Sequence, residues 1–327
     1  MAETMIDAVI VGCGRIAGGY DETASSGPPR THAGAYRARG DVRLVACVDP
    51  DSERRAAFRR HWGVGRDFAS LVDMAAAGMR ADVVSVCTPG ERHAADLQAL
   101  LAMDVRAVLC EKPLAPDLAQ ARAVVADYHA KGRPLAVAHF RRWDPNIVEL
   151  ATLIRAGAYG ALQSCAGFYG KGLFNNGSHL IDLFAALVGW PEPLSAEGRF
   201  AGPNAGDPTP DCVLRAPCGA PFRLIATDHT RFDLFELLLV FDAAVVELRE
   251  GASRVTVREP VPTPGFAGHR RPGAGVSWPS RQDEAFARMI DATIDAAVRG
   301  APVACDGATA LRTLSICAAL AAGLSRN

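Results

Sequence analysis

Residues 174–182 read FNNGSHLID, placing an amide, a glycine, an imidazole and a carboxylate at what the pattern makes the start of a helix. His179 and Asp182 are three apart and share one helix face. An imidazole titrates near neutral pH, so it can give or take a proton at working pH. Leu180, Ile181, Leu183, Phe184 and Leu187 form the apolar remainder. Ser178 or Asn176 can cap this helix, and Gly177 allows an unusual backbone angle or a close approach. Locally, the stretch reads as a helix cap or as part of an active site.

A second group lies near the N-terminus. In GCGRIA, Gly12, Gly14 and Ala17 fit the spacing G-x-G-x-x-G/A, with Arg15 and Ile16 inside the turn. The first glycine permits a tight turn, the second lets the backbone approach a pyrophosphate, and the small third residue lets a helix pack on the preceding strand. The helix N-terminus then offers N–H groups to the phosphates. Asp49 ends a run reading LVACVDPD. A carboxylate there accepts hydrogen bonds from ribose hydroxyls and repels a 2′-phosphate, which favours NAD over NADP. Asp49 also reads as the N-cap of a helix over 51–61, and Arg54 and Arg55 follow closely enough to tolerate a phosphate.

These groups need a framework. Apolar, β-branched runs at 6–11, 42–48, 83–87, 107–110 and 135–138 alternate with helical patterns near 31–39, 51–61, 68–77, 91–103 and 116–131. Nearly continuous apolar strands separated by helices predict a doubly wound parallel sheet. The second half has strand-like runs near 161–168, 195–200, 212–216, 222–227, 234–241, 244–248 and 254–258, with helices near 145–156, 178–188, 281–299 and 307–322. Many strands with few crossover helices predict an antiparallel sheet in an α+β domain. The stretch GGYDETASSGPPR, residues 18–30, reads as a loop beside the glycine turn. It is either a tolerated insertion or a lid, with Tyr20, Asp21 and Arg30 as candidate contacts.

The bulk composition narrows the classes. The 327 residues are 49% hydrophobic and 22% charged with a net charge of −1, which argues against a nucleic-acid or membrane-surface partner. The nine cysteines form no C-x-x-C pair, so neither a zinc site nor a disulfide framework is expected. Cys47, Cys87 and Cys110 sit in apolar runs as small core residues, a usage that suits the cytoplasm. No signal peptide, bilayer-spanning stretch or fixed-period repeat is expected.

Three further stretches, CTPGERHAADL (87–97), CEKPLA (110–115) and NNGSHLID (175–182), follow the glycine turn in an order and spacing that resemble the glucose–fructose oxidoreductase / inositol dehydrogenase (Gfo/Idh/MocA) family. The resemblance covers essentially the whole chain. It implies an N-terminal Rossmann domain, placed at 1–140, and a C-terminal α+β domain with an open, mainly antiparallel sheet, placed at 141–327. It implies that Thr88 and Pro89 lie against the cofactor. Glu111 contacts the nicotinamide ribose, Lys112 reaches the reacting oxygen, and Pro113 is cis. His179 is the acid/base beside the substrate hydroxyl. Asp182 and Asn175 contact substrate, and Tyr169 and Lys171 line the pocket. A lysine suits this chemistry because its charge stabilises a developing alkoxide and, with a lowered pKa, it can take the proton. His93 reads as a helix residue rather than a direct contact. Arg141 and Arg142, in HFRRWDP, either bind a substrate phosphate or tie the domains together, with the second favoured, and His229 falls outside the site.

One departure bears on substrate. Inositol-dehydrogenase-like members carry D-x-G-x-H where this chain has Asn175, and an amide cannot relay a proton. Asn resembles the branch acting on nucleotide-linked and amino sugars. The implied function is an NAD-dependent oxidoreductase acting on a secondary ring hydroxyl or ketone of a nucleotide sugar, aminoglycoside, aminocyclitol or free sugar. The alternatives are an NAD(P)H-dependent ketosugar reductase, a glycosidase that oxidises its sugar transiently, and a non-catalytic cofactor-binding regulator. A homodimer or homotetramer through the open sheet face is expected.

Overall fold

The computed structural model describes residues 5–22, 27–204 and 206–324. Contacts divide the chain into a first unit of 1–143 with 283–312 and a second of 144–282 with 313–327. Each is described by itself.

In the first unit, β1 (Ile6–Val11), β2 (Val42–Val48), β3 (Arg66–Phe68), β4 (Ala81–Val86), β5 (Val105–Cys110) and β6 (Leu135–Val137) form one parallel sheet in the order β3-β2-β1-β4-β5-β6. That order reverses between β1 and β4, where doubly wound sheets bind ligands beyond the strand C-termini. The connecting helices are α1 (His32–Arg37), α2 (Ser52–Trp62), α3 (Leu71–Ala76), α4 (Gly90–Leu101) and α5 (Leu118–Ala130). Their N-termini are set by local chemistry: Thr31, Asp51, Ser70 and Asp117 each accept backbone N–H bonds in the first turn of the helix that follows. β3 escaped the sequence reading because it is three residues long and only Phe68 is buried.

Helical backbone after the fingerprint is limited to one turn, and the next helix begins where the pattern near 31–39 placed it. After Gly14 the chain makes one five-residue π-type turn, Arg15–Gly19, then loops out and resumes as α1. Asp21 closes the loop by accepting from Arg30 N (2.9 Å) and Thr31 Oγ1 (2.6 Å). Its carboxylate is therefore committed to the Arg30 backbone and the Thr31 hydroxyl at the end of its own loop. Residues 23–26 of the proposed lid lie outside the described residues.

The second unit holds α6 (Pro145–Arg155), β7 (Leu162–Tyr169), α7 (Ser178–Leu187), β8 (Glu192–Phe200), β9 (Thr209–Arg215), β10 (Pro221–Ala226), β11 (Phe235–Phe241), β12 (Val245–Arg249), β13 (Arg254–Arg258) and three short strands, β14 (Pro260–Pro262), β15 (Arg270–Pro272) and β16 (Val276–Ser277). Eight strands make a sheet in the order β16-β13-β12-β11-β7-β10-β9-β8, antiparallel except where β10 runs parallel to β7. Its core centres on α7, whose Phe184 stacks on Phe222 with centroids 4.2 Å apart. Phe222→Ala removes a fully buried ring; we expect a loss of about 3–5 kcal/mol, read as an earlier urea transition of this unit.

The expected boundary, 1–140 and 141–327, is continuous, whereas contacts return residues 283–312 to the first unit. The physical reason is α8 (Ala285–Arg299), which packs on β4, β5 and α1 and lays Phe286 edge-on against His32. A second correction concerns α9 (Gly307–Leu324), which is long and apolar enough by composition to cross a bilayer. Its Ile316, Cys317 and Leu320 instead pack in the second unit's core.

Candidate functional site

The C-terminal edge of the first sheet gathers the fingerprint, Asp49, the Thr88–Pro89 turn and Glu111–Lys112–Pro113. Gly12 has φ +89°, and a Cβ there would sit 2.8 Å from the Cys87 carbonyl and the Thr88 nitrogen, so glycine is required by both angle and space. A Cβ on Gly14 would meet nothing within 4 Å. That open space beside a bare backbone fits a diphosphate. Arg15 is exposed and Ile16 half-buried on the turn that follows.

Asp49 is buried at the end of β2. Its Oδ2 accepts from Cys13 N (2.8 Å) inside the fingerprint, and its Oδ1 accepts from Asp51 N (2.9 Å). The N-cap of α2 is Asp51, not Asp49. A carboxylate has about four acceptor sites, so bracing the loop leaves capacity for ribose hydroxyls. Both arginines are engaged by acidic or carbonyl partners: Arg54 pairs with Asp51 at 3.1 Å and lies 3.4 Å from Asp49, while Arg55 bonds Asp67 and the Asp49 carbonyl. That arrangement disfavours an added phosphate. Asp49→Ser is expected to raise KM for NAD about tenfold and to narrow the NAD/NADP ratio of kcat/KM; an unchanged ratio would remove Asp49 from cofactor selection.

The two turns beyond β4 and β5 are clipped together by His93. Its Nδ1 meets the Pro113 carbonyl at 2.6 Å and its Nε2 the Thr88 carbonyl at 2.8 Å. His93 is thus the tie between the T-P and E-K-P turns, a role its sequence position did not reveal. Thr88 Oγ1 also donates to Asp96 (2.7 Å), and the Lys112–Pro113 peptide is cis. The Glu111 carboxyl lies below the ordinary carboxylate range: burial pushes it up, but the hydrogen bond from His32 and the electrostatic pull of neighbouring groups, Lys112 among them, outweigh that. Burial, together with the same negative charge, pushes the Cys87 and Cys110 thiols well up, which keeps them inert.

In the second unit, β7 leads through Lys171 (φ 62°) and Gly172 (φ 91°) into a π-type turn, Gly172–Gly177, that runs directly into α7. No side chain caps α7: Ser178 Oγ instead donates back to the Asn175 carbonyl (2.7 Å). The cap expected from Ser178 or Asn176 is absent because the preceding turn already supplies helical backbone. Gly177 has ordinary helical angles, and its use is close approach, since a Cβ would meet Leu173 and Tyr169 at 3.0 Å. Asp207 holds the turn through Phe174 N (2.8 Å) and Asn175 N (3.2 Å). Lys171 pairs with Asp233 at 2.5 Å, and Asn176 reaches the same carboxylate at 3.4 Å. Sequence reasoning missed Asp207 and Asp233, whose only signal is acidity in loops far along the chain.

His179 and Asp182 lie in one helical turn of α7, as the spacing predicts, with His179 8% exposed. Two of the expected substrate contacts are buried. Asp182 is 1% exposed and accepts from Thr313 Oγ1 (3.2 Å), which links α7 to α9. Tyr169 is fully buried, its hydroxyl donating to the Pro210 carbonyl (2.6 Å), and it is a core residue. Burial pushes its hydroxyl far up. Arg141 lays its guanidinium over Phe140, and His229 packs its Cβ against Gly170.

Residues 6–139 match a family model described as an oxidoreductase family with an NAD-binding Rossmann fold, GFO_IDH_MocA. The D-apiose dehydrogenase of Paraburkholderia graminis is 36% identical over 131 residues, 40% of this chain and 34% of that enzyme. Across several such relatives the match takes in 34–60% of their length. The inositol 2-dehydrogenase of Rhizobium meliloti is 26% identical over 311 residues, 88% of this chain and 91% of that enzyme. Among solved structures, levoglucosan dehydrogenase in complex with NADH and levoglucosan has a TM-score of 0.81 at 18% identity, covering 99% of this chain and 98% of that one, a likeness of fold. Residues 6–139 thus match the NAD-binding Rossmann fold of the GFO_IDH_MocA oxidoreductase model, and the chain is similar to a relative aligned along nearly its whole length.

Proposed function

We propose that this protein is an NAD-dependent oxidoreductase that interconverts a secondary ring hydroxyl and the corresponding ketone of a carbohydrate-like substrate. The observation that carries the reading is the arrangement at the end of the first sheet. There the E-K-P and T-P turns are tied by His93 beside a glycine turn with open space for a diphosphate. When bound, the nicotinamide ring provides the hydride acceptor or donor.

The remaining work falls to side chains. Glu111 and Asp49 accept from the two riboses, and Thr88 and Pro89 wall the cofactor. As a carbinol is oxidised, its C–H electron pair leaves as hydride, its O–H proton goes to His179, and a C=O bond forms. Lys112 stabilises the oxygen's developing negative charge and shares the proton's path. Asn175 and Lys171 are the proposed substrate contacts, and Asn175 is the reason to rank nucleotide-linked and amino sugars above inositol. The outward face of the second sheet, with Ala166, Phe168, Leu238 and Val240 only half-buried, supports a homodimer or homotetramer. Nine unpaired thiols suit the cytoplasm.

The test is NADH formation with NAD and a panel of inositols, hexoses, nucleotide sugars and aminoglycosides. Turnover confined to one class supports the reading and names the substrate. Turnover only of keto-sugars with the reduced cofactor transfers the assignment to a ketosugar reductase, and failure to bind NAD or NADP refutes both.

A further inference from the structure

Behind Glu111 lies a chain of polar groups that the proposed chemistry does not use. Tyr36 Oη is 2.9 Å from Ser85 Oγ, Ser85 Oγ is 2.9 Å from His32 Nδ1, and His32 Nε2 is 3.1 Å from Glu111 Oε1. Tyr36, Ser85 and His32 are all fully buried. They come from three elements: Tyr36 and His32 from α1, Ser85 from β4, and Glu111 from the end of β5. Phe286 of α8 covers the imidazole edge-on. Buried polar groups carry a penalty unless each is partnered, and linked partners reinforce one another. Burial pushes the Tyr36 hydroxyl up, so it remains a donor.

One assignment of protons satisfies every member. Tyr36 donates to Ser85, Ser85 donates to Nδ1, and the Nε2–H donates to Glu111. The neutral imidazole then has one tautomer, fixed by the serine, and all donors run toward the carboxylate. Glu111 Oε1 is occupied, while Oε2, on a carboxyl whose side chain is 14% exposed, accepts no hydrogen bond from the described residues. The position of His32 is set in turn by Thr31, which caps α1 and is held by Asp21.

We propose that His32 is a positioning residue for the cofactor: through Nε2 it orients and keeps ionised the Glu111 carboxylate, so that Oε2 faces the nicotinamide ribose. This rests on the reading of Glu111 as a ribose contact. The groups around the carboxylate are Lys112 from its own turn, His93 from α4, the Cys87 and Cys110 thiols, and the Ser85–Tyr36 pair; Phe286 brings no charge. With His32 in place, Glu111 stays charged below the ordinary carboxylate range. Without its hydrogen bond, burial dominates and protonation moves to higher pH.

The test uses the full-length protein and NADH titrations across pH. His32→Asn still reaches Ser85 but is too short for Glu111; His32→Gln reaches Glu111 with an N–H donor. We expect His32→Asn to raise Kd for NADH about tenfold and to move the acid limb of binding to higher pH, with His32→Gln restoring most of both. Equal behaviour of the two variants, or wild-type Kd and acid limb in His32→Asn, overturns the proposal. Should His32→Asn fail to fold, Ser85→Ala decides: it removes the donor that fixes the tautomer, so weaker NADH binding supports the proposal and an unchanged Kd refutes it. Wild-type protein that binds no NADH refutes the cofactor reading itself, a distinct outcome.

Discussion

Replacing Lys112 with alanine is expected to lower kcat/KM for the sugar substrate by about 10²–10⁴-fold while changing Kd for NADH far less. The lysine ends β5 beside Glu111, on a turn clipped by His93, so its ammonium is delivered by rigid elements. Its removal takes away the one positive charge the account assigns to the reacting oxygen. The carboxylate it flanks is still held by His32. Lys112→Arg separates two roles, because arginine keeps the charge but does not release a proton. Recovery in the arginine variant assigns electrostatic stabilisation, and continued loss assigns proton transfer. Steady-state kinetics with a fluorescence titration of NADH read both quantities. An alanine variant within a few-fold of wild type would remove Lys112 from the chemistry.

The second large effect is at the fingerprint. Gly12→Ala puts an L-residue at φ +89° and its Cβ 2.8 Å from the backbone of Cys87 and Thr88. The angle alone costs about 1–2 kcal/mol, and neither neighbour is a flexible side-chain end. The expected result is a lower unfolding temperature and a Kd for NADH raised about tenfold or more, since β1 and β4 part at the switch point. Gly14→Ala is the control that separates stability from binding. Gly14 has φ −83°, and its added methyl meets nothing within 4 Å. It should keep the wild-type unfolding temperature and still weaken NADH, because the methyl enters the space assigned to the diphosphate. Wild-type affinity in Gly14→Ala would contradict that assignment.

The parallel sheet was legible because its strands are nearly continuous in apolar residues and end in turn residues, as at Val83–Cys87 and Val42–Val48. The strands of the second unit were legible for a different reason, the alternation of Leu237, Leu239 and Phe241 inside with Glu236 and Leu238 outside. What stayed hidden depends on distant chain segments. Nothing local says that α8 returns to the first sheet, because its apolar face suits either unit. Lys171 was visible as a polar residue, but its partner Asp233 lies 62 positions away. The loop after the fingerprint was legible from its Gly, Pro and Ser content, whereas the Asp21–Thr31 clasp that closes it was not. Tyr169 was taken for a pocket residue on proximity in sequence. Strand alternation turns it inward instead, in the buried set with Cys165 and Gly167.

The central claim is hydride transfer from a carbinol carbon to the nicotinamide. The most direct measurement supplies the active sugar with deuterium on that carbon and follows the label in the NADH formed. The account predicts one deuterium per NADH, at C4 of the ring, and a slower reaction with the labelled sugar when hydride transfer limits the rate. NADH formed without the label, or label released to water, would contradict it.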